Sequence, residues 1–116
     1  MSYIQMDSDA KKLLDLKVEI IQAMAHPFRL AIIEFLSEGE QCVCDITEHL
    51  GAQRTNVSRH LGLMLKAGIL ECRKDGLKVI YSLKTPCIVN FISCVTNVLM
   101  EKMENHANVL EMLNRN

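Results

Sequence analysis

The chain has 116 residues, 49% of them hydrophobic and 4% aromatic, with no Trp. That length suits one domain, and Leu, Ile, Val and Met must fill its interior, a balance that favours helix-on-helix packing over a β-sandwich. The net charge of −1 hides a division: residues 53–78 carry six basic side chains against two acidic ones, a net of +4, and leave −5 on the rest, which is the footprint of a phosphate-binding segment on an acidic body. No run of about 18 apolar residues is present, so no transmembrane helix is expected. The start, with Asp7 and Asp9 and no apolar stretch before Lys11, does not read as a secretory signal. The expected compartment is the cytoplasm, where Cys42, Cys44, Cys72, Cys87 and Cys94 should be thiols.

Residues 9–25 read as a first helix, dense in Leu, Val and Ile and therefore apolar on more than one face. His26-Pro27 ends it, because proline disfavours helical geometry at the residue before it. Pro27 then opens a second helix, with Leu30, Ile33 and Leu36 on one stripe, that ends near Gly39. Asp45 to Glu48 has capping-box spacing and starts a short third helix that Gly51 stops. After a tight connection over Ala52 to Thr55, Val57, Leu61, Met64 and Leu65 mark a fourth helix that ends at Gly68. From Ile69 the period changes. Ile69 to Lys74 and Leu77 to Leu83 are strand-like runs around Asp75-Gly76, a hairpin signal. Thr85 offers a cap, and Pro86 a first-turn residue, for a long last helix. The expected fold is mainly α with one small β-hairpin, in the order α-α-α-α-β-β-α, as a single domain over residues 1–116.

Two short helices joined by a tight turn, followed by a basic hairpin, describe a winged helix-turn-helix. The fourth helix buries Val57 and Leu61 and offers Arg54, Thr55, Asn56, Ser58, Arg59 and Lys66 to a DNA groove. Arginine hydrogen-bonds guanine at two atoms, and hydroxyls reach base edges or phosphate. Arg73, Lys74 and Lys78 lie on or beside the hairpin tip, where they meet backbone phosphates and set affinity rather than sequence. The run Thr55-Asn56-Val57-Ser58-Arg59-His60-Leu61, the stretch Leu70 to Leu83 and the opening His26-Pro27-Phe28-Arg29-Leu30 together resemble the ArsR/SmtB family of metal- and thiol-responsive repressors, from about Ile20 to Leu83. The resemblance implies a homodimer built on the first and last helices, which binds double-stranded operator DNA until an inducer releases it. His60 reads as a packing or phosphate-side residue.

Cys42-Val43-Cys44 is the sharpest chemical motif, since paired thiolates suit soft ions. Ahead of an Asp45 cap the backbone need not be helical, and both sulfurs can turn to one ion. The pair resembles that of arsenic- and antimony-sensing relatives, and of cadmium- and lead-sensing ones. Thr47 stands where the arsenic type often has a third cysteine, and residues 1–41 contain none of the cysteines that the cadmium type draws from its N-terminal arm. The resemblance therefore implies As(III) or Sb(III) ahead of Cd(II) or Pb(II) as inducer, held by Cys42 and Cys44. The family's last-helix zinc positions fall on Thr85, Cys87, Val98 and Glu101, only two of them good ligands. Cys87 and Cys94 share a helix face roughly 10 Å apart, a second thiol pair that an antiparallel dimer could bring together. Disulfide or persulfide sensing is the alternative use of these thiols. With no Cys-x-x-Cys and no nucleophile–base pair, an enzyme is not expected.

Overall fold

The computed structural model describes residues 2–115; Met1 and Asn116, the ends of the expected domain, lie outside the described residues. The element order is α1 (Ser8–Gln22), α2 (Pro27–Leu36), β1 (Gln41–Cys42), α3 (Val43–Leu50), α4 (Arg54–Lys66), β2 (Leu70–Asp75), β3 (Lys78–Leu83) and α5 (Cys87–Asn114). The chain forms two compact units, one ending at Thr85 and the other starting at Pro86. Among the described residues no helix is long and apolar enough to cross a membrane.

Three helices of the first unit, α1, α2 and α3, start where a side chain satisfies their loose N–H groups. Asp7 caps α1, its Oδ1 accepting from the Ala10 amide at 2.7 Å. His26 caps α2, its Nδ1 accepting from the Phe28 amide at 3.1 Å, with Pro27 at the first helical position. The start of α3 differs from expectation. Cys42 is the cap, its Sγ accepting from the Asp45 amide at 3.3 Å, so Asp45 lies in the first turn and Cys44 is already helical. The physical reason is β1, which the sequence pattern did not reveal. Gln41 pairs with Tyr81 and Cys42 with Ile80, and this pairing holds Cys42 extended at φ −77°, ψ 159°, the backbone that a capping residue needs.

The hairpin is thus part of a three-stranded antiparallel sheet in the order β1-β3-β2. Its turn is displaced by one residue from the expected Asp75-Gly76. Asp75 pairs with Lys78, which leaves Gly76-Leu77 as the two-residue tip. Gly76 adopts φ +65°, and among the described residues no non-glycine residue takes positive φ, the Gly-X pattern of a II′ turn.

Helices α2, α3 and α4 converge on one core. Ile32, Ile33, Ile46, Val57, Leu61 and Met64 are each 0% exposed. The stripe on α2 is Ile32, Ile33 and Leu36, and Leu30 falls off its edge and is exposed. Gly51 ends α3 in the left-handed region at φ 63°, with its N–H returned to Thr47 and Glu48 carbonyls. Only Ala52 and Gln53 then separate it from α4, which opens at Arg54 rather than after the expected connection over Ala52 to Thr55. Helices α1 and α5 have no buried residue. On α1, Leu13, Leu16, Val18, Ile20 and Ile21 stay exposed, and on α5 Phe91, Val95, Val98, Leu99 and Met103 do. The start of α5 has no side-chain cap, so Thr85 does not fill the expected capping role.

Leu61→Ala should lower stability by about 2–5 kcal/mol, because the cavity under α4 cannot close fully. Urea unfolding checks this, and an unchanged midpoint would remove α4 from the core.

Candidate nucleic-acid interface

One side of α4 is committed to the core through Val57, His60, Leu61 and Met64. Burying that stripe fixes the rotation of the helix and turns Arg54, Thr55, Ser58 and Arg59 to solvent. The Gln53 side chain makes no cap hydrogen bond, so first-turn N–H groups and the positive end of the helix dipole face outward beside these side chains. Asn56 Oδ1 accepts from Arg59 Nη2 at 2.6 Å, which extends the guanidinium along the helix. Gln53, Thr55, Asn56 and Arg59 line an open cleft of about 430 Å³. Gln53 was not among the expected residues, although a polar side chain immediately before a basic helix is a readable signal. Lys66 is exposed in the last turn of α4 and lines a different cleft with Glu19, Gln22, Arg29 and Leu63. It therefore stands apart from the Arg59 group.

The orientation of α4 has a second anchor. Arg29 Nη1 lies 3.2 Å from His60 Nδ1, and Arg29 Nη2 donates to the Gln22 carbonyl at 3.2 Å. Arginine carries no acceptor, so Nδ1 of His60 must accept, which assigns its proton to Nε2. The His26 ring sits against His60 with centroids 4.4 Å apart, and Phe28 meets it edge-on at 5.6 Å. The end of α1, the start of α2 and the middle of α4 thus meet at one imidazole. Burial pushes the His60 pKa below its ordinary value, and the charges of His26, Arg29 and Arg59 push it the same way.

In the wing, Lys74 and Lys78 are exposed. Arg73 is already engaged: Nη2 lies 2.6 Å from Glu40 Oε1 and Nη1 lies 3.9 Å from Asp75. Its hydrogen bond and charge contact with Glu40 hold the guanidinium more firmly protonated. Arg73 therefore joins the wing to the segment before β1, a partnership across 33 positions that no local motif announces.

The thiols are divided. Cys42 is buried, whereas Cys44, Cys72, Cys87 and Cys94 are exposed. Cys42 and Cys44 therefore do not present a preformed pair on one surface. Among the described residues no three His, Cys, Asp or Glu side chains gather to hold a metal ion. Thr47 bonds its hydroxyl to the Val43 carbonyl at 2.7 Å. Cys72 faces Tyr81 across the ladder; burial raises the Tyr81 pKa, and Cys72 adds to it.

Three comparisons bear on this geometry. The family profile described as "Bacterial regulatory protein, arsR family" matches residues 26–71. An uncharacterized HTH-type transcriptional regulator of Mycobacterium tuberculosis, Rv0081, is 32% identical over 106 residues, 90% of this chain and 93% of the relative. Its crystal structure superposes with a TM-score of 0.74 at 31% identity, over 82% of this chain and 96% of that one. The homodimeric winged helix-turn-helix DNA-binding domain Mb0332 of Mycobacterium bovis, a possible ArsR-family regulator, gives a TM-score of 0.76 at 26% identity, over 87% and 94% of the two chains. The arsenical resistance operon repressor of Escherichia coli K12 is 41% identical over 69 residues, 59% of each chain.

A neutral His60 predicts a pH dependence with a definite sign. The unfolded state binds the proton more readily, so the stability due to this group is fully present above about pH 6.5, the unfolded pKa. It is lost as pH falls below that value toward the folded pKa. Urea midpoints should decline over that window in the native chain, and His60→Gln should flatten the decline. An equal decline in both proteins would assign it to other groups.

Proposed function

This chain belongs to the ArsR family of bacterial transcriptional regulators, and from that premise we propose that it is a homodimeric operator-binding repressor released when a thiophilic metal(loid) engages Cys42 and Cys44. The observation that carries the DNA-reading assignment is the division of α4 between a buried stripe and the exposed set Arg54, Thr55, Ser58 and Arg59. In this reading α4 lies in the major groove, where Arg59, aligned by Asn56, and Ser58 read base edges. Lys74 and Lys78 hold the flanking phosphates. Mb0332 is described as homodimeric. The exposed apolar side chains of α1 and α5 are of the kind that subunit interfaces cover, which supports a dimer using both helices and an operator with two-fold symmetry.

The inducer reading rests on the position of the two thiols. Cys42 Sγ is the acceptor that closes the first turn of α3, and its backbone pairs with the wing. Engagement of that sulfur together with exposed Cys44 removes the cap and disturbs both α3 and β1. A coupling of about 1–3 kcal/mol would change operator affinity roughly 5–150-fold, and loss of a cap is worth about 1 kcal/mol. Cys42 and Cys44 are the two thiolates that this reading assigns to the ion. As(III) or Sb(III) is favoured over Cd(II) or Pb(II), because residues 1–41 supply no further cysteine. The similarity to the E. coli arsenical resistance operon repressor supports the same choice. The exposure of Cys87 and Cys94 favours a second reading, in which oxidants or reactive sulfur release the operator through disulfide or persulfide formation.

Operator release decides between them. Arsenite should release the native protein and the Cys87→Ser/Cys94→Ser variant, and should fail with Cys42→Ser/Cys44→Ser. The opposite pattern moves the sensing site to α5, and release by peroxide or persulfide alone establishes the redox reading. On DNA itself, Arg59→Ala should weaken binding and relax sequence preference. Lys74→Gln should weaken all sequences alike and lower the salt slope by about one; an unchanged slope in titrations against salt would remove Lys74 from the phosphate contacts.

A further inference from the structure

Leu77 is the most exposed large hydrophobic side chain among the described residues, at 106% relative accessibility, and it stands at the very tip of the wing. The fold gives no reason for an apolar residue there. The turn requires glycine only at Gly76, where φ is +65°, and the second tip position accepts a polar side chain equally well. Core packing makes no use of Leu77. Its sequence neighbours in the tip are Gly76 and Lys78, with Lys74 one step back on β2, both lysines exposed. Arg73, the remaining cation of β2, is held by Glu40 at 2.6 Å, which ties down the middle of the hairpin at the Arg73–Ile80 pair, two pairs short of the tip.

We propose that Leu77 is an apolar DNA contact, inserted by the wing against sugar and base edges of the minor groove beside the major groove that receives α4. This rests on the operator-binding reading above and extends it to a residue that charge does not mark. Lys74 and Lys78 draw the tip between two phosphate strands. The groove between those strands is walled by deoxyribose carbon and hydrogen, a surface that a leucine side chain matches and an ammonium does not. Apolar side chains are used as wedges against minor-groove base steps by other DNA-binding proteins. The exocyclic amino group of guanine occupies the floor of that groove in G·C pairs and is missing from A·T pairs. Leu77 therefore confers a preference for A·T pairs beneath the tip, at positions that α4 does not read.

The test uses the full chain and duplexes recovered by selection from random DNA. Leu77→Ala should bind about five- to thirty-fold more weakly, the loss expected for most of a leucine burial, with the salt slope unchanged because no counterion is involved. Lys78→Gln, the control, should lower that slope by about one. Replacing A·T pairs under the wing by G·C should weaken the native protein, and inosine·C, which lacks the minor-groove amino group, should restore binding. Leu77→Ala should ignore both replacements. If Leu77→Ala binds within two-fold of the native chain while Lys78→Gln weakens binding, operator recognition stands and the Leu77 contact falls. If the native chain selects no duplex at all, the operator reading itself has failed. If Leu77→Ala instead lowers the oligomeric state in sedimentation, the tip serves a second copy of the chain and the minor-groove contact is overturned.

Discussion

The rotation of α4 about its own axis is the constraint on which the rest depends. Val57, Leu61 and Met64 are fully buried, and together these side chains remove several kcal/mol worth of apolar surface from water. No other rotation of the helix buries them. Because the same 3.6-residue period places Thr55, Ser58 and Arg59 on the other side, hydrophobic burial and the presentation of the proposed DNA-reading groups are one event. His60 adds direction to a term that has none. Its acceptor nitrogen meets Arg29, and Arg29 also meets the carbonyl at the end of α1, so the helix is fixed in azimuth by packing and in register by hydrogen bonds.

Charge separation follows from the same arrangement. An acidic chain carries a basic segment, and one exposed carboxylate ahead of β1 is already committed to it. Glu40 is taken by Arg73, which leaves Lys74 and Lys78 outside that ion pair. Both partners of the pair are half-exposed, so its contribution to stability is small. Its value lies in where it holds the wing.

The helices were legible in the sequence because their signals are local. Pro27 after His26, the Val57–Leu61–Met64 spacing and Gly68 each act within one or two turns, and α2 and α4 stand where those residues put them. What escaped was set by contacts distant along the chain. Two residues, Gln41 and Cys42, carry no strand period, yet β3 makes them a strand. That pairing, rather than Asp45, decides where α3 begins, with a sulfur in the place that a hydroxyl or carboxylate usually fills. Asp75-Gly76 signalled a hairpin correctly and missed its register by one residue, since the flanking pairs and not the dipeptide fix which two residues lie at the tip. Among the expected DNA-binding residues, Arg54, Thr55, Ser58 and Arg59 share a face that periodicity predicts. The engagement of Arg73 by Glu40 could not be read from composition.

The passage from β1 into α3 has no loop: Cys42 is the last strand residue and the helix cap at once. Elsewhere the connections are looser, as in the exposed residues 37–39, where added residues change mainly the path of an exposed connection. Between Cys42 and Val43 a single inserted residue would shift the cap off the strand pairing by one position and turn every α3 side chain by about 100°. Variation in chain length among proteins of this design should therefore collect before Gln41 and after Leu83, and stop at the strand–helix joint.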